Sequence, residues 1–402
     1  QAQDATFFYS DMSPSDAIDD KPRKKTQIID SNFERAFMRG SEAVEAIVER
    51  SNFNYSNIRN GNWNQADVLK AEFNYADMEG ISLAGAQLRE VKMKHALLDK
   101  AIMTNAELLK VDLTEAMMVG VKAEKLKIKD SILRNVDARG INLEDAEIDK
   151  LSKLEGLDLE RALMEKIKAE GVDFRKVNLE QADLRLAQLR EANLEGVNAR
   201  FANLEGAVIE GAKAAGIDMT GAQVEKLHAA KADLTGAVMK GVKGDEADFT
   251  DALLEGANLR EAKMRKAIME RVDLRKAELQ GAKLPEVNLT GAKVELAIID
   301  KSSDLHGAKI EGVEGDLQEE QIDGQVKKKP IAQVVQEHNE VHAAEQKSWL
   351  AKKCGNALKS VGKVCQKIGG IIKQPFSEKW GRIIGAVAGA LIVGSIAVSA
   401  VA

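Results

Sequence analysis

Large apolar residues recur every five positions along most of this chain, a period that neither a 3.6-residue helix nor a two-residue strand produces. One run reads Phe53, Ile58, Trp63, Val68, Phe73, Met78, Leu83, Leu88 and Met93, and keeps its frame to Ile148. A small residue stands two places before most of them, as at Ala66, Ala71, Ala76, Ala86, Val91 and Ala96. The frame then slips by one residue and resumes at Leu154, Leu159, Met164, Phe174, Leu179 and Leu184, running on to Ile299. A second slip leaves Leu305 and Ile310 in a third frame. The three frames hold 20, 30 and two repeats, so the pattern dominates the chain and points to a solenoid whose units bury apolar surface only against their neighbours. A weaker phase at Phe33, Met38, Ala43 and Val48 reads as a lead-in, with a short capping helix at Glu42–Arg50 as the competing expectation.

Units such as Ala182-Asp183-Leu184-Arg185-Leu186 and Ala257-Asn258-Leu259-Arg260-Glu261 resemble the A-(D/N)-L-x-x signature of pentapeptide-repeat proteins. The resemblance implies an all-β solenoid, a right-handed quadrilateral β-helix in which each pentapeptide forms one side and four sides make a coil. Fifty-two repeats give about 13 coils, or about 62 Å at the ordinary spacing of hydrogen-bonded strands. Residues 20 apart should then stack, placing Phe53, Phe73, Met93, Leu113 and Leu133 in one core column and Trp63, Leu83, Met103, Ala123 and Leu143 in another. The slips near Leu151–Leu154 and Lys301–Asp304 should be bulged corners, because a true frame change would turn core side chains outward.

Composition fits a narrow interior. The chain has 10 Phe, 3 Trp and 3 Tyr, ten of these aromatics lie at or before Tyr75, and no proline falls between Pro22 and Pro285. Leu, Met, Ile, Val and Ala must therefore supply the core, and the early aromatics fit an N-terminal cap or first coils. Apolar content of 44% excludes disorder. Two cysteines, Cys354 and Cys365, exclude a disulfide framework.

Catalytic motifs are lacking. His338 and His342 have the i, i+4 spacing of a helical metal site but lack the adjacent Glu and a third ligand, so a solvated helix face is expected. No catalytic residue, metal or cofactor is expected. The positions just before the repeat centres are mostly polar. Leu97, Ile102, Met117, Ile132, Leu163, Val208, Val238, Leu253, Ile268 and Ile298 break that rule, and Met117, Ile132, Val238, Leu253 and Ile268 include neighbours 15 apart, which spiral around the coils and do not form one flat patch.

The net charge of −6 divides unevenly: residues 325–402 carry +8, and the body therefore carries −14. Five segments are expected: 1–50 as an N-terminal segment and cap, 51–315 as the β-helix, 316–346 as a basic linker and capping helix, 347–374 as a basic amphipathic helix, and 375–402 as a hydrophobic membrane-inserting segment. In the fourth, Leu350, Cys354, Leu358, Val361, Cys365, Ile368 and Ile372 share one helical face, with Lys352, Lys353, Lys359, Lys363 and Lys367 around it. Such a helix suits an anionic membrane surface; packing on the end of the β-helix is the alternative. Residues 383–402 form 20 uncharged residues flanked by Lys379, Trp380 and Arg382, a length that matches a membrane span. Gly385 and Gly389 form a GxxxG pair that permits oligomerisation.

These features point to a non-enzymatic, membrane-tethered scaffold whose charged solenoid faces the cytoplasm of the producing cell or of a host. Membrane-targeted pentapeptide-repeat proteins of bacteria, including secreted effectors, are the implied relatives; the protein partner is unidentified. The resemblance also raises an acidic DNA mimic acting on a type II topoisomerase, although the mixed signs of the outward residues make nucleic-acid-like chemistry the weaker reading. A membrane-active, oligomerising tail carried on the solenoid is the third. The register itself is testable. Leu184→Asp should cost several kcal/mol by burying an unpaired charge, read as a lowered melting temperature by circular dichroism; an unchanged melt would refute the frame.

Overall fold

A computed structural model describes residues 25–321 and 325–371, with the side chains of 351 and 354–371 excepted. The chain divides into one unit up to Val335 and a second from Gln336. The first unit is a parallel β-solenoid of about 15 turns. Its coil is 20 residues long: Asn52 pairs in parallel with Glu72, Glu72 with Lys92, and Lys92 with Asp112. Four pentapeptides close each coil, and the sides are named below by Phe53, Ile58, Trp63 and Val68, in chain order. On the Val68 side the ladder forms a seven-stranded parallel sheet of β1 (Gln27–Ile29), β2 (Ile47–Glu49), β3 (Asp67–Leu69), β4 (Gln87–Arg89), β5 (Glu107–Leu109), β6 (Lys127–Lys129) and β7 (Glu147–Ile148).

The corner explains the five-residue period. The N–H of the small residue donates to the carbonyl of the large residue three places earlier, as Ala76 does to Phe73 at 3.1 Å. This β-turn places its third residue in the left-handed region, the type II pattern. Among the described residues, thirty-six non-glycine residues and 20 glycines occupy that conformation, and none of the 36 is β-branched. Branching at Cβ is least tolerated there, so the fifth position of the repeat is set by backbone sterics.

Inside, Phe53, Phe73, Met93, Leu113 and Leu133 are all buried. The Phe33, Phe53 and Phe73 rings stack at 4.9 and 4.8 Å, and Trp63 meets Phe53 and Phe73 edge-on. The early aromatics thus build the first coils. Trp63 fits because Gly61 occupies the small slot: a Cβ there would lie 3.2 Å from the indole Cδ1. Trp63, Leu83, Met103, Ala123 and Leu143 form the second buried column.

Three expectations are corrected. The solenoid begins at β1, not near residue 51, and residues 42–50 are coil and β2 where a capping helix was the competing expectation. Serines hid this start by taking alanine slots: buried Ser41 accepts the Trp63 indole N–H at 3.1 Å, and buried Ser51 donates to backbone carbonyls. The additional coils at both ends raise the turn number above 13. Second, the supposed basic linker at Lys327–Lys329 is strand β10 (Val326–Lys329), antiparallel to β9 (Leu317–Glu320). Strand β9 extends the solenoid by pairing in parallel with β8 (Ile298–Ile299). Lys329 pairs with Glu319 at 3.2 Å, which turns a lysine run into a charge-matched hairpin. Third, the expected capping and amphipathic helices are one continuous helix, α1 (Ile331–Ile371). Pro330 opens it, accepting N–H bonds from Gln333 and Val334, and Ile331, Val334 and Val335 join the core cluster at the end of the solenoid.

Both frame slips are corners with one extra residue. Pairing jumps from 20 to 21 residues at Ile132–Lys153 and again at Lys283–Asp304. The two corners share the sequence Ile-Asp-Lys-x-Ser-x-Leu, at 148–154 and 299–305. In the first, Asp149 accepts the Ser152 N–H at 3.0 Å and the Ser152 hydroxyl at 2.7 Å, and it reaches the Asp130 N–H of the previous coil. In the second, Asp300 holds Ser302 and Ser303 in the same way and accepts the Gly281 N–H. Burial pushes the Asp300 carboxyl up, but these hydrogen bonds outweigh it and hold it below its ordinary value. The buried serine then takes the small slot, and the core frame is restored.

The corner rule can be measured at Gly236, which has φ of +64° and nothing within 4 Å of a built Cβ. Gly236→Val should cost about 1–2 kcal/mol from left-handed strain alone. Gly236→Asn should cost clearly less, because Asn tolerates that region. Equal denaturant midpoints for the two variants would count against the rule.

Candidate functional site: the outward columns of the solenoid

The residue before each core centre points out and is often Asp or Asn, for a local reason. Its side-chain oxygen accepts the N–H two residues on, as from Asn52 to Asn54 (2.9 Å), Asp112 to Thr114 (3.1 Å), Asn203 to Glu205 (3.0 Å) and Asp248 to Thr250 (2.9 Å). This Asx turn supplies a partner for a corner N–H. Where Arg follows at the same spacing, it clasps the carboxylate from outside. Arg139 meets Asp137, Arg175 meets Asp173 and Arg185 meets Asp183, each at 2.7 Å, and Arg275 meets Asp273 at 2.6 Å.

A second set of ion pairs runs between coils. Lys92 reaches Glu72 at 2.9 Å, Lys127 reaches Glu107 at 2.8 Å, Lys168 reaches Glu147 at 2.7 Å and Arg271 reaches Asp251 at 2.7 Å. The hydrogen bond from Lys92 leads the causes that hold Glu72 below its ordinary value. Acidic residues are thus interleaved with cations one coil away, which breaks up the negative potential that a DNA mimic requires. Open grooves of about 420 and 520 Å3 flank Glu147 and Lys168 beside the first extra-residue corner.

The apolar exceptions sit where the coil geometry sends them. Leu97 and Met117 are direct neighbours on the Ile58 side, whereas Leu253 lies on the Phe53 side and Ile268 on the Val68 side. The corner positions form columns of their own, which the reading of the sequence passed over. Tyr55, Tyr75 and His95 stack at 5.0 and 4.5 Å along one edge, with the Arg35 guanidinium 5.9 Å above Tyr55 and Glu115 3.2 Å from His95. The signal was present, since the three are 20 apart.

The histidines are dispersed. His306 pairs with Asp304 at 2.8 Å, and His342 lies 2.9 Å from Gln346 on α1. No group of three or more His, Cys, Asp or Glu is arranged to hold a metal among the described residues. Of the proposed membrane residues, Lys352 and Lys353 are exposed on α1, and the Lys353 ammonium lies 4.2 Å over the Trp349 ring. Lys359, Lys363 and Lys367 belong to the same helix. Trp380, Arg382, Gly385 and Gly389 lie outside the described residues, as does the apolar run 383–402. No helix among the described residues is long and apolar enough to cross a membrane.

Parallel pairing at a 20-residue step, stretched to 21 across the two extra-residue corners, with four short sides per coil and alternating small and large core residues, defines a quadrilateral parallel β-solenoid. Pentapeptide repeats, in 8 copies, are matched at residues 81–118, 187–223, 228–260 and 252–291, and the chain belongs to the pentapeptide-repeat family. It is similar to HetL, a pentapeptide repeat protein involved in heterocyst differentiation regulation in the cyanobacterium Nostoc sp. strain PCC 7120. That likeness has 22% identity over 69% of this chain and 92% of HetL, with a TM-score of 0.25. It is similar to QnrB1, a plasmid-mediated fluoroquinolone resistance protein, at 15% identity over 59% of this chain and 92% of that one, with a TM-score of 0.26. A pentapeptide repeat protein of the cyanobacterium Cyanothece 51142, Rfr23, shows 20% identity over 45% of this chain and 87% of that one, with a TM-score of 0.10. Likenesses at this level bear on neither partner nor activity. No curated protein matches the chain.

The Asp–Arg clasps predict an acid dependence. The Asp273 carboxyl lies below its ordinary 3.8, chiefly through the hydrogen bond from Arg275. A depressed carboxylate stabilises the fold above pH 3.8, and that contribution is lost as pH falls through the lower folded value. Arg275→Gln should therefore lower the denaturant midpoint at pH 7, and only modestly, since the pair is partly solvated. The gap from the unsubstituted protein should shrink as pH falls toward 2; a gap that stays constant would remove the clasp from the account.

Proposed function

We propose that this chain is a non-enzymatic interaction scaffold: a rigid solenoid presents fixed columns of side chains to a partner protein, and its C-terminal segment holds it on an anionic membrane. The observation that carries the reading is the unbroken register, which spaces outward groups at the strand repeat along the whole unit. Such a surface can match an extended partner at several points while little conformational entropy remains to be lost. Support for the membrane half comes from the +8 charge of residues 325–402 and from the lysines of α1, with Trp380 and Arg382 ahead of the uncharged run. The solenoid would face the cytoplasm of the producing cell or of a host, and Gly385 with Gly389 would serve any self-association of the tail.

Fractionation of cells that express the tagged chain with and without residues 347–402 tests the tether. The full chain should sediment with membranes, and the shortened form should move to the soluble fraction. Recovery of both forms in the soluble fraction would end the membrane half of the proposal.

A further inference from the structure

One side of the solenoid departs from the local rules in two ways. On the Trp63 side, Lys243 pairs with Lys263 and Lys263 with Lys283, so three exposed lysines stand in direct register on consecutive coils. Like charges one strand apart are destabilising; the neighbouring corner column alternates in sign, as in Lys226, Glu246, Lys266 and Glu286, whereas the turn column of the same side stacks Glu205, Glu225 and Asp245. A lysine also cannot accept the corner N–H that Asp or Asn takes at this position in other coils. Lys283 donates to the Ser302 carbonyl at 2.5 Å, at the second extra-residue corner.

Farther up the same side, Leu163, Leu186 and Phe201 are about half exposed. Leu186 and Phe201 occupy the two corners that bound this side, with φ of 58° and 56°. A bulky apolar residue there is strained and solvated at once. Each lies over a glycine of the next coil: a Cβ on Gly206 would come within 2.8 Å of Leu186, and one on Gly221 within 2.7 Å of the Phe201 ring. The carboxylates of Asp183 and Asp245 on this side are engaged by Arg185 and Arg265. Glu205 and Glu225 stand at the turn position of the coils before the column, so the positive stretch begins at Lys243.

From these placements we infer that the Trp63 side lies against an anionic lipid surface. Leu163, Leu186 and Phe201 would enter the headgroup layer, while Lys243, Lys263 and Lys283 would engage lipid phosphates and carboxylates; the strip from Leu163 to Lys283 is about 29 Å long at the strand repeat. Charge complementarity selects the occupant. A body of net −14 is repelled from an anionic bilayer unless a local cationic side turns toward it, and apolar groups beside lysines suit a lipid interface. The inference rests on the proposed membrane association and specifies which side of the solenoid faces the bilayer.

The test uses the full chain and vesicles of phosphatidylcholine with or without phosphatidylserine. Three forms are compared: the unsubstituted protein, Lys243→Gln/Lys263→Gln/Lys283→Gln, and a control that removes equal charge from other sides, Lys213→Gln/Lys231→Gln/Lys293→Gln. Each lysine near such a surface is worth about a factor of five, so the first triple variant should bind phosphatidylserine vesicles at least about tenfold more weakly. The control should stay close to the unsubstituted protein, and Leu186→Ser/Phe201→Ser should weaken binding to the same vesicles. Circular-dichroism melts establish that each variant is folded. Equal binding by the two triple variants overturns the inference and leaves tethering by the tail intact. Failure of the unsubstituted chain to bind either vesicle overturns both. Loss of single-stranded oligonucleotide binding in the first triple variant, with vesicle binding unchanged, would reassign the column to nucleic acid and also overturn the inference.

Discussion

The first unit depends on one turn repeated at most of its corners: a small residue donates its N–H to the carbonyl of the large residue three places back. That turn fixes the side at five residues and forces a left-handed residue at its third position. It also leaves the flanking backbone groups free to pair with the coils above and below, as Phe73 does with Lys92. The requirements of the repeat follow in order. The donor must be small because its side chain faces the narrow interior beside a large one. The residue before the large one gains from an acceptor side chain that reaches the corner N–H. The left-handed position admits glycine, lysine or even phenylalanine, but no β-branched residue among those described.

The core was legible because this turn writes its period directly into hydrophobicity. Phe53 through Ile299 could be placed on sides and in columns, and the two slips could be assigned to corners, since the large slot almost always holds a large apolar residue. Legibility failed where a polar residue did a core residue's work. Ser41 and Ser51 satisfy their hydroxyls internally and fill slots that a hydrophobic pattern leaves blank, so the first coils looked like a lead-in. Strand β10 failed for the opposite reason. A run of lysines has little strand character by itself and becomes a strand only through pairing with Glu319 and Glu320 on β9. The outer columns were half legible: apolar residues before the centres were found, while the Tyr55–Tyr75–His95 edge was missed because corner positions were read as turns and not as a surface.

Stability in such a chain is local, each coil resting on its two neighbours. The ends therefore carry special devices. At the N-terminal end, stacked Phe33, Phe53 and Phe73 with edge-on Trp63 concentrate buried area in the first coils. At the other end, the β9–β10 hairpin and the first turn of α1 bring Ile331, Val334 and Val335 over the last core residues. Between them, inter-coil ion pairs contribute little each, being partly solvated. Their greater effect is on register, since a slipped coil would set Lys92 away from Glu72 and Arg271 away from Asp251.

A repeat this regular makes its departures informative, because a sequence specifies its structure most cleanly where all local preferences agree. Departures with a structural cause have visible compensation. The extra residues at the two corners are held by Asp149 and Asp300, and Trp63 is matched by Gly61. Lys283 is held by the Ser302 carbonyl, and Leu186 and Phe201 lie over Gly206 and Gly221, so the departure that stands without a matching partner is the stacking of Lys243 on Lys263. Uncompensated costs scattered at random would mean only drift. Apolar exceptions occur on every side, but only on the Trp63 side do half-exposed Leu163, Leu186 and Phe201 precede a column of stacked lysines, and that combination fits a surface met from outside the solenoid.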